Sequence, residues 1–286
     1  MTSSTTHALV IAGGGAAGNA WALGVIAGLA DSGPDVTTAD LVVGTSSGST
    51  VAAQITSGTS PADLYAAILA ETPPPSSGGP RPMPSGPDYL AWSDAIISAS
   101  TGPADMRRRL GAAALALDTS NGANASRWRD VVASRLPGAA WPEQSVLIPA
   151  VNARTGDPVV FSRDSGVELV DAVAASTSAM TPYAIGDDRF LNGGYRRSEN
   201  ADLATGYDVV LVLSPFGGRT RMPLGWGMDL AAQVDELRAG GSQVQTVFPD
   251  ARAGDVFDAN ALDPSTRLPA ARGGFAQGRE LRVVSW

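Results

Sequence analysis

Two short apolar runs, each cut off by a glycine-rich turn and each followed by apolar residues at helical spacing, limit what this chain can fold into. Ala8-Leu9-Val10-Ile11-Ala12 stops at Gly13-Gly14-Gly15, and Leu41-Val42-Val43 stops at Gly44-Thr45-Ser46-Ser47-Gly48. Continuous apolar runs of this length read as strands covered on both faces. After the first turn, Trp21, Val25 and Leu29 recur every four residues with Leu23, Ile26 and Ala30 beside them, which makes Asn19 to Ser32 a buried helix that Gly33-Pro34 ends. Val51 to Ile55 resumes helical spacing after the second turn. A strand–helix–strand–helix opening calls for a parallel pair joined by a crossover helix, and so for helices packed on a sheet.

The remaining segments extend that pattern. Asp208-Val209-Val210-Leu211-Val212-Leu213 is the strongest strand signal, ending at Ser214-Pro215. Val146 to Ala153 and Pro158 to Ser162 flank Arg154-Thr155-Gly156-Asp157 and read as a hairpin. Val167 to Ser176 reads as a short helix, Phe190 as the start of a turn, Met228 to Ala239 as a helix, Val244 to Phe248 as a strand and Arg267 to Leu281 as a last helix. Residues 72–87 are mostly Pro, Ser and Gly and are expected to form a surface loop. Tyr89 to Ser98, Ala104 to Leu117 and Ser126 to Leu136 follow as helices, so 89–136 is expected to be a helical insertion covering a pocket. The expectation is one α/β domain over 1–286, with a mainly parallel central sheet and helices on both faces.

Composition removes several functions. Acidic residues outnumber basic ones 28 to 20, for a formal charge of −8, so no broad cationic face is available for nucleic acid. Cysteine is absent and His7 is the one histidine, which excludes thiolate chemistry and any multi-histidine metal site; no metal or cofactor is expected. No run approaches the roughly 20 apolar residues that span a bilayer, and the first residues lack a signal-peptide pattern, so a cytoplasmic location is expected.

Gly44-Thr45-Ser46-Ser47-Gly48 fits G-x-S-x-G at a strand-to-helix junction, the setting that lifts a serine hydroxyl off the backbone beside a helix N-terminus. It is equally the sequence of a helix cap. Gly13, Gly15 and Gly18 satisfy G-x-G-x-x-G, but the second strand ends without the carboxylate that a dinucleotide ribose requires. Beside a nucleophilic Ser46, the same glycines would supply backbone N–H groups to an oxyanion; otherwise they form a tight turn. A serine nucleophile needs a base. His7 precedes the first strand and so sits one strand length from its glycine turn, which points to a carboxylate acting directly on the serine.

Taken in order, Gly13-Gly14-Gly15-Ala16-Ala17-Gly18, Gly44-Thr45-Ser46-Ser47-Gly48, Ala174-Ala175-Ser176 and Asn192-Gly193-Gly194, with Asn200-Ala201-Asp202-Leu203 after them, resemble the patatin-like phospholipase family. The resemblance covers nearly the whole chain. It implies a fold related to α/β-hydrolases, a Ser-Asp dyad and hydrolysis of lipid acyl esters. It further implies Ser46 as nucleophile and the Gly14 and Gly15 amides as oxyanion donors, Gly13, Gly18, Gly44, Gly48, Gly193 and Gly194 being motif support; the Ser47 amide, at the start of the helix after the serine, is expected to join the donors. The partner would be an acyl ester or lipid; contact with a membrane surface and the oligomeric state are left open.

Two positions depart from the family. Ala17 stands where its glycine loop usually carries a cation, and Asn192 stands at the dyad aspartate. An amide cannot accept the serine proton at neutral pH. Three accounts of Asn192 are open: an inactivated form of an active enzyme, a natural variant using Asp187 or Asp188 as base, or a pseudoenzyme that binds acyl groups without cleaving them. Acyl transfer is chemically adjacent to hydrolysis. Met106-Arg107-Arg108-Arg109 is either a solvated face or a head-group contact, and Trp92, Trp128 and Trp141 are either core or the lining of an acyl pocket.

Overall fold

The computed structural model describes residues 5–71, 86–119, 123–258, 260–283 and 286. Most of the expected Pro-rich loop, 72–85, lies outside them. Eight strands among the described residues form one mixed, mostly parallel sheet. They are β1 (His7–Ile11), β2 (Leu41–Gly44), β3 (Ser145–Asn152), β4 (Pro158–Phe161), β5 (Tyr183–Ile185), β6 (Asp188–Asn192), β7 (Val209–Leu213) and β8 (Gln243–Val247). Their order is β5-β6-β3-β2-β1-β7-β8, with β4 on β3. The run from β3 through β2, β1 and β7 to β8 is parallel, and β4, β5 and β6 add antiparallel pairs around the far half of β3.

Period-two alternation in the central strands produces two cores. Leu9, Ile11, Val42, Leu211 and Leu213 point to a layer holding α1 (Gly15–Ser32), α2 (Ser47–Ile55), α3 (Pro61–Leu69) and α7 (Leu169–Thr177), with α9 (Arg267–Glu280) packed on α1. Ala8, Val10, Leu41, Val43, Val210 and Val212 point the other way, onto α8 (Leu230–Ala239) and a 3-10 turn at Ala201–Ala204. Each central strand is therefore apolar at every position because it is covered on both faces. The expected insertion contains α4 (Gly86–Ser98), α5 (Pro103–Leu117) and α6 (Ala123–Ala133). From it, Ile97, Met106, Leu110 and Ala114 pack on Val151, Leu191 and Tyr195.

One expectation is corrected here. Phe190 does not open a turn; it lies in β6, where it pairs with Asn152 of β3 and with Tyr183 of β5. The segment Asp187-Asp188-Arg189 is too polar to read as a strand, and its pairing is imposed by the hairpin beside it. Helix α3, opened by Ser60 accepting from Asp63 N–H, was not evident from apolar spacing either.

Helix α1 is buried on all sides from Ala17 to Leu29. Its cover comes from α9 through glycines on both helices: a Cβ at Gly24 would lie 2.3 Å from Ala271 O, at Gly28 2.3 Å from Phe275 O, at Gly274 2.4 Å from Trp21 O and at Gly278 2.3 Å from Val25 O. Backbone meets backbone along this crossing, with Trp21 Nε1 donating to Gln277 Oε1 at 3.0 Å at its edge. We expect Gly28→Ala to destabilise the fold by about 3 kcal/mol, although alanine is the better helix former by about 1 kcal/mol, because a packed backbone cannot give way. Chemical denaturation compared with Gly138→Ala, whose Cβ would meet nothing within 4 Å, measures the difference.

Candidate active site

The site lies at the C-terminal ends of β1 and β2. Thr45 N–H donates to Ile11 O at 3.0 Å, and the chain then reverses into α2 within one residue. That residue is Ser46, at φ 53° and ψ −126°. A side chain held there costs about 1–3 kcal/mol, so the surroundings must impose it. Glycines do so by close approach: a Cβ at Gly48 would sit 2.1 Å from Ile11 O, and one at Gly44 2.6 Å from Ser49 Cα. Ser46 N–H donates to the buried Ser176 Oγ at 3.0 Å, and Ser46 O accepts from Ser49 Oγ at 2.6 Å.

Asn192 closes β6, its N–H donating to Ser178 O at 2.7 Å. Its side chain accepts from Gly194 N–H through Oδ1 at 2.9 Å and donates from Nδ2 to Ser46 Oγ, also at 2.9 Å. The Gly194 contact fixes the amide's orientation, since a backbone N–H faces an oxygen and not an NH2 group. Gly193 is pressed against β3, where a Cβ would lie 2.2 Å from Pro149 O. Ser46 and Asn192, which the sequence places 146 residues apart, are thus in direct contact.

The glycine loop lies beside them. A Cβ at Gly13 would come within 2.9 Å of Ser46 Cβ. Gly14 does not hold an open donor: its N–H is directed to Ser47 Oγ at 2.9 Å. Gly15 and Ser47 are the first residues of α1 and α2, so their N–H groups lack the acceptor four residues back that later helical amides have, and two helix N-termini converge here. Gly14 and Gly18 face Pro215, with Cβ positions 2.6 and 3.0 Å from its ring, and Gly15, at φ 62°, faces Ala261 O. These glycines are used for packing against protein where a dinucleotide would need room for pyrophosphate.

Other candidates fall elsewhere. His7 begins β1, at the opposite end from Gly13, and its ring packs on Trp286 at 5.0 Å. Asp188 opens β6, four residues or roughly 13 Å along the strand from Asn192, and accepts from Asn152 Nδ2. Arg107 donates to Gly156 O, while Arg108 and Arg109 pair with Asp105 on exposed surface. Trp128 and Trp141 donate to Ala174 O, Thr177 Oγ1 and Val167 O, and Trp92 packs in the core around Tyr195. Among the described residues no group of three or more acidic or histidine side chains is placed to hold a metal ion.

Several supporting residues lie outside the three glycine-containing motifs. Ser178 and Pro215 position Asn192 and the glycine loop through a carbonyl and a ring. Asn200, at φ 60°, donates from Nδ2 to Thr45 Oγ1 and to Gly193 O, both at 3.0 Å, tying the serine turn to the Asn192 loop. Tyr195 OH donates to Tyr89 OH at 3.1 Å, which fastens α4 to the same loop; burial holds this phenol far above its ordinary pKa.

The solved structure of VipD from Legionella pneumophila aligns over 96% of this chain and 66% of its own, at 15% identity and TM-score 0.45. The type III effector protein ExoU aligns over 97% of this chain and 54% of its own, at 16% identity and TM-score 0.35. This chain therefore spans about two thirds and about half of those two structures. No curated protein matches it significantly. The family described as Patatin-like phospholipase matches residues 9–205, a stretch that contains the glycine loop, the Ser46 turn and Asn192. The chain belongs to the patatin-like phospholipase family.

Proposed function

We propose that this chain is a serine esterase acting on lipid acyl groups, built on a dyad of Ser46 and position 192, and that Asn192 holds it in a base-deficient state. The observation that carries the reading is the 2.9 Å contact between Asn192 and Ser46 Oγ on a turn strained to φ 53°. A helix cap needs neither the strain nor the partner.

An aspartate is nearly isosteric with Asn192. In its place, one carboxylate oxygen would accept from Gly194 N–H and the other from the Ser46 hydroxyl. That second oxygen takes the proton as Ser46 Oγ attacks an ester carbonyl, and returns it to the leaving alcohol. The oxyanion is held by the Gly15 and Ser47 N–H groups, since the Gly14 N–H is directed to Ser47 Oγ. Water then resolves the acyl-enzyme with the carboxylate again as base.

Asn192 reverses this chemistry. Its Nδ2 donates to Ser46 Oγ, so it removes no proton and draws electron density from the oxygen that would attack. The arrangement also suits a second reading, an acyl-binding protein that does not turn over. Removal of a catalytic base leaves roughly 10³–10⁴-fold catalysis over water in serine hydrolases whose oxyanion site is intact.

Asn192→Asp is expected to raise kcat/KM for p-nitrophenyl esters by about 10³-fold, and addition of Ser46→Ala to abolish the gain. No change on introducing the carboxylate would sink the dyad. A fluorophosphonate probe separates the two readings of the unaltered chain. Slow labelling at Ser46, accelerated by Asn192→Asp, marks an impaired esterase; tight binding of acyl lipid with no labelling in either form marks a binding protein.

A further inference from the structure

Beneath the site lies an acid that the dyad chemistry leaves idle. Glu199 is 3% exposed, and both carboxyl oxygens meet hydroxyls: Ser214 Oγ donates to Oε1 at 2.9 Å, and Ser198 Oγ lies against Oε2. The charged group acting on it is another acid, Asp229, at the cap of α8. Arginines of its own segment are committed elsewhere, Arg196 to Asp202 and Arg197 to Glu236. A carboxylate buried without a cation is costly. Burial holds the Glu199 carboxyl above the usual carboxylate range; the Ser198 and Ser214 hydroxyls oppose that shift and Asp229 adds to it.

The groups around this acid belong to the three loops of the site. Ser214 follows β7 directly; its Oγ accepts from Gly218 N–H at 3.0 Å, and the next residue is Pro215, against which Gly14 and Gly18 are packed. Glu199 O accepts from Thr45 Oγ1 at 3.2 Å, one residue before Ser46. Asn200, the next residue, reaches Gly193, beside Asn192.

We propose that Glu199 is a positioning residue for Ser46: its carboxyl anchors Ser214 and so seats Pro215 against the glycine loop, while its carbonyl holds Thr45 of the serine turn. The proposal rests on the Ser46 dyad reading. As a carboxylate, Glu199 gives Ser214 a charge-assisted acceptor; once protonated it is a weaker, neutral one. The ionised form seats the loop best and is also the form that folding disfavours. With a folded-state pKa above the unfolded value, the stability linked to Glu199 is full below the ordinary glutamate pKa and is lost as pH rises through the raised one. Activity and stability therefore pull in opposite directions at this residue.

Kinetics of p-nitrophenyl ester hydrolysis in the Asn192→Asp background test it, alongside thermal melts. Glu199→Gln should lower kcat by about tenfold with KM changed less than about twofold, and should remove one of two ionisations from the acid limb of kcat. Its Tm at about pH 8 should equal or exceed that of the parent. Ser214→Ala breaks the same hydrogen bond, so it should reproduce the kcat loss without adding to it in the double variant, and it carries the test if Glu199→Gln does not fold. An unchanged kcat overturns the proposal. So does a loss of kcat and Tm together with an unaltered pH profile, which marks a structural role. If Asn192→Asp brings no Ser46-dependent turnover, the dyad reading fails and this proposal falls with it; if turnover appears and Glu199→Gln leaves it intact, only this proposal fails.

Discussion

The site depends on a single close approach, that of Gly48 to the Ile11 carbonyl at the end of β1. Ile11 O accepts the Thr45 N–H, so the parallel pairing of β1 and β2 continues one residue beyond β2. The same carbonyl lies where a side chain at Gly48 would have to be. Helix α2 can start there only if the chain turns within one residue, and that residue is Ser46 at positive φ. Strand pairing, helix placement and exposure of the serine hydroxyl are one geometric condition. Backbone contacts that admit no Cβ do not adjust gradually, because packed interiors respond to an added atom by strain.

Legibility in the sequence followed the strength of local signals. β1, β2 and β7 were readable because burial on both faces makes every residue apolar, and α1 because its apolar residues recur with the helical period. The Ser46 turn was readable because glycines flank it at both positions where the backbone closes. By contrast, β5 and β6 are short strands around Gly186-Asp187-Asp188, and their pairing comes from β3, distant in sequence. The identity of Asn192 was evident, but its donor role was not: the amide's direction is set by Gly194 N–H, and no pattern in the chain encodes that. The loop cation missing at Ala17 has no counterpart in the Gly14 contact either, which goes to a serine hydroxyl.

Polar groups under the site are arranged as a continuous scaffold. Ser176 and Ser178 fasten the serine turn and the end of β6 to the same stretch of chain, from the end of α7. Asn200 joins Thr45 to Gly193, and Arg196 joins Asn200 to Asp202. Loops that carry reacting groups are usually the mobile part of a fold. Here the Ser46 turn and the Asn192 loop are tied together by the buried Asn200 side chain and each is fastened to the end of α7.

The glycine-lined contact of α1 with α9 has a consequence for how this chain acquires its structure. Trp21 and Gln277 are 256 positions apart, yet α1, buried at every residue from Ala17 to Leu29, owes part of its cover to α9. During synthesis, the face of α1 that α9 covers stays open to solvent and to other chains until α9 emerges. Such distant contacts slow folding and prolong the interval in which aggregation competes with it. The family-matched stretch ends at residue 205, before β7, β8 and α9. That stretch holds Ser46 and Asn192, but not the elements that let α1 be buried, so the family-matched segment and the unit of folding have different boundaries in this protein.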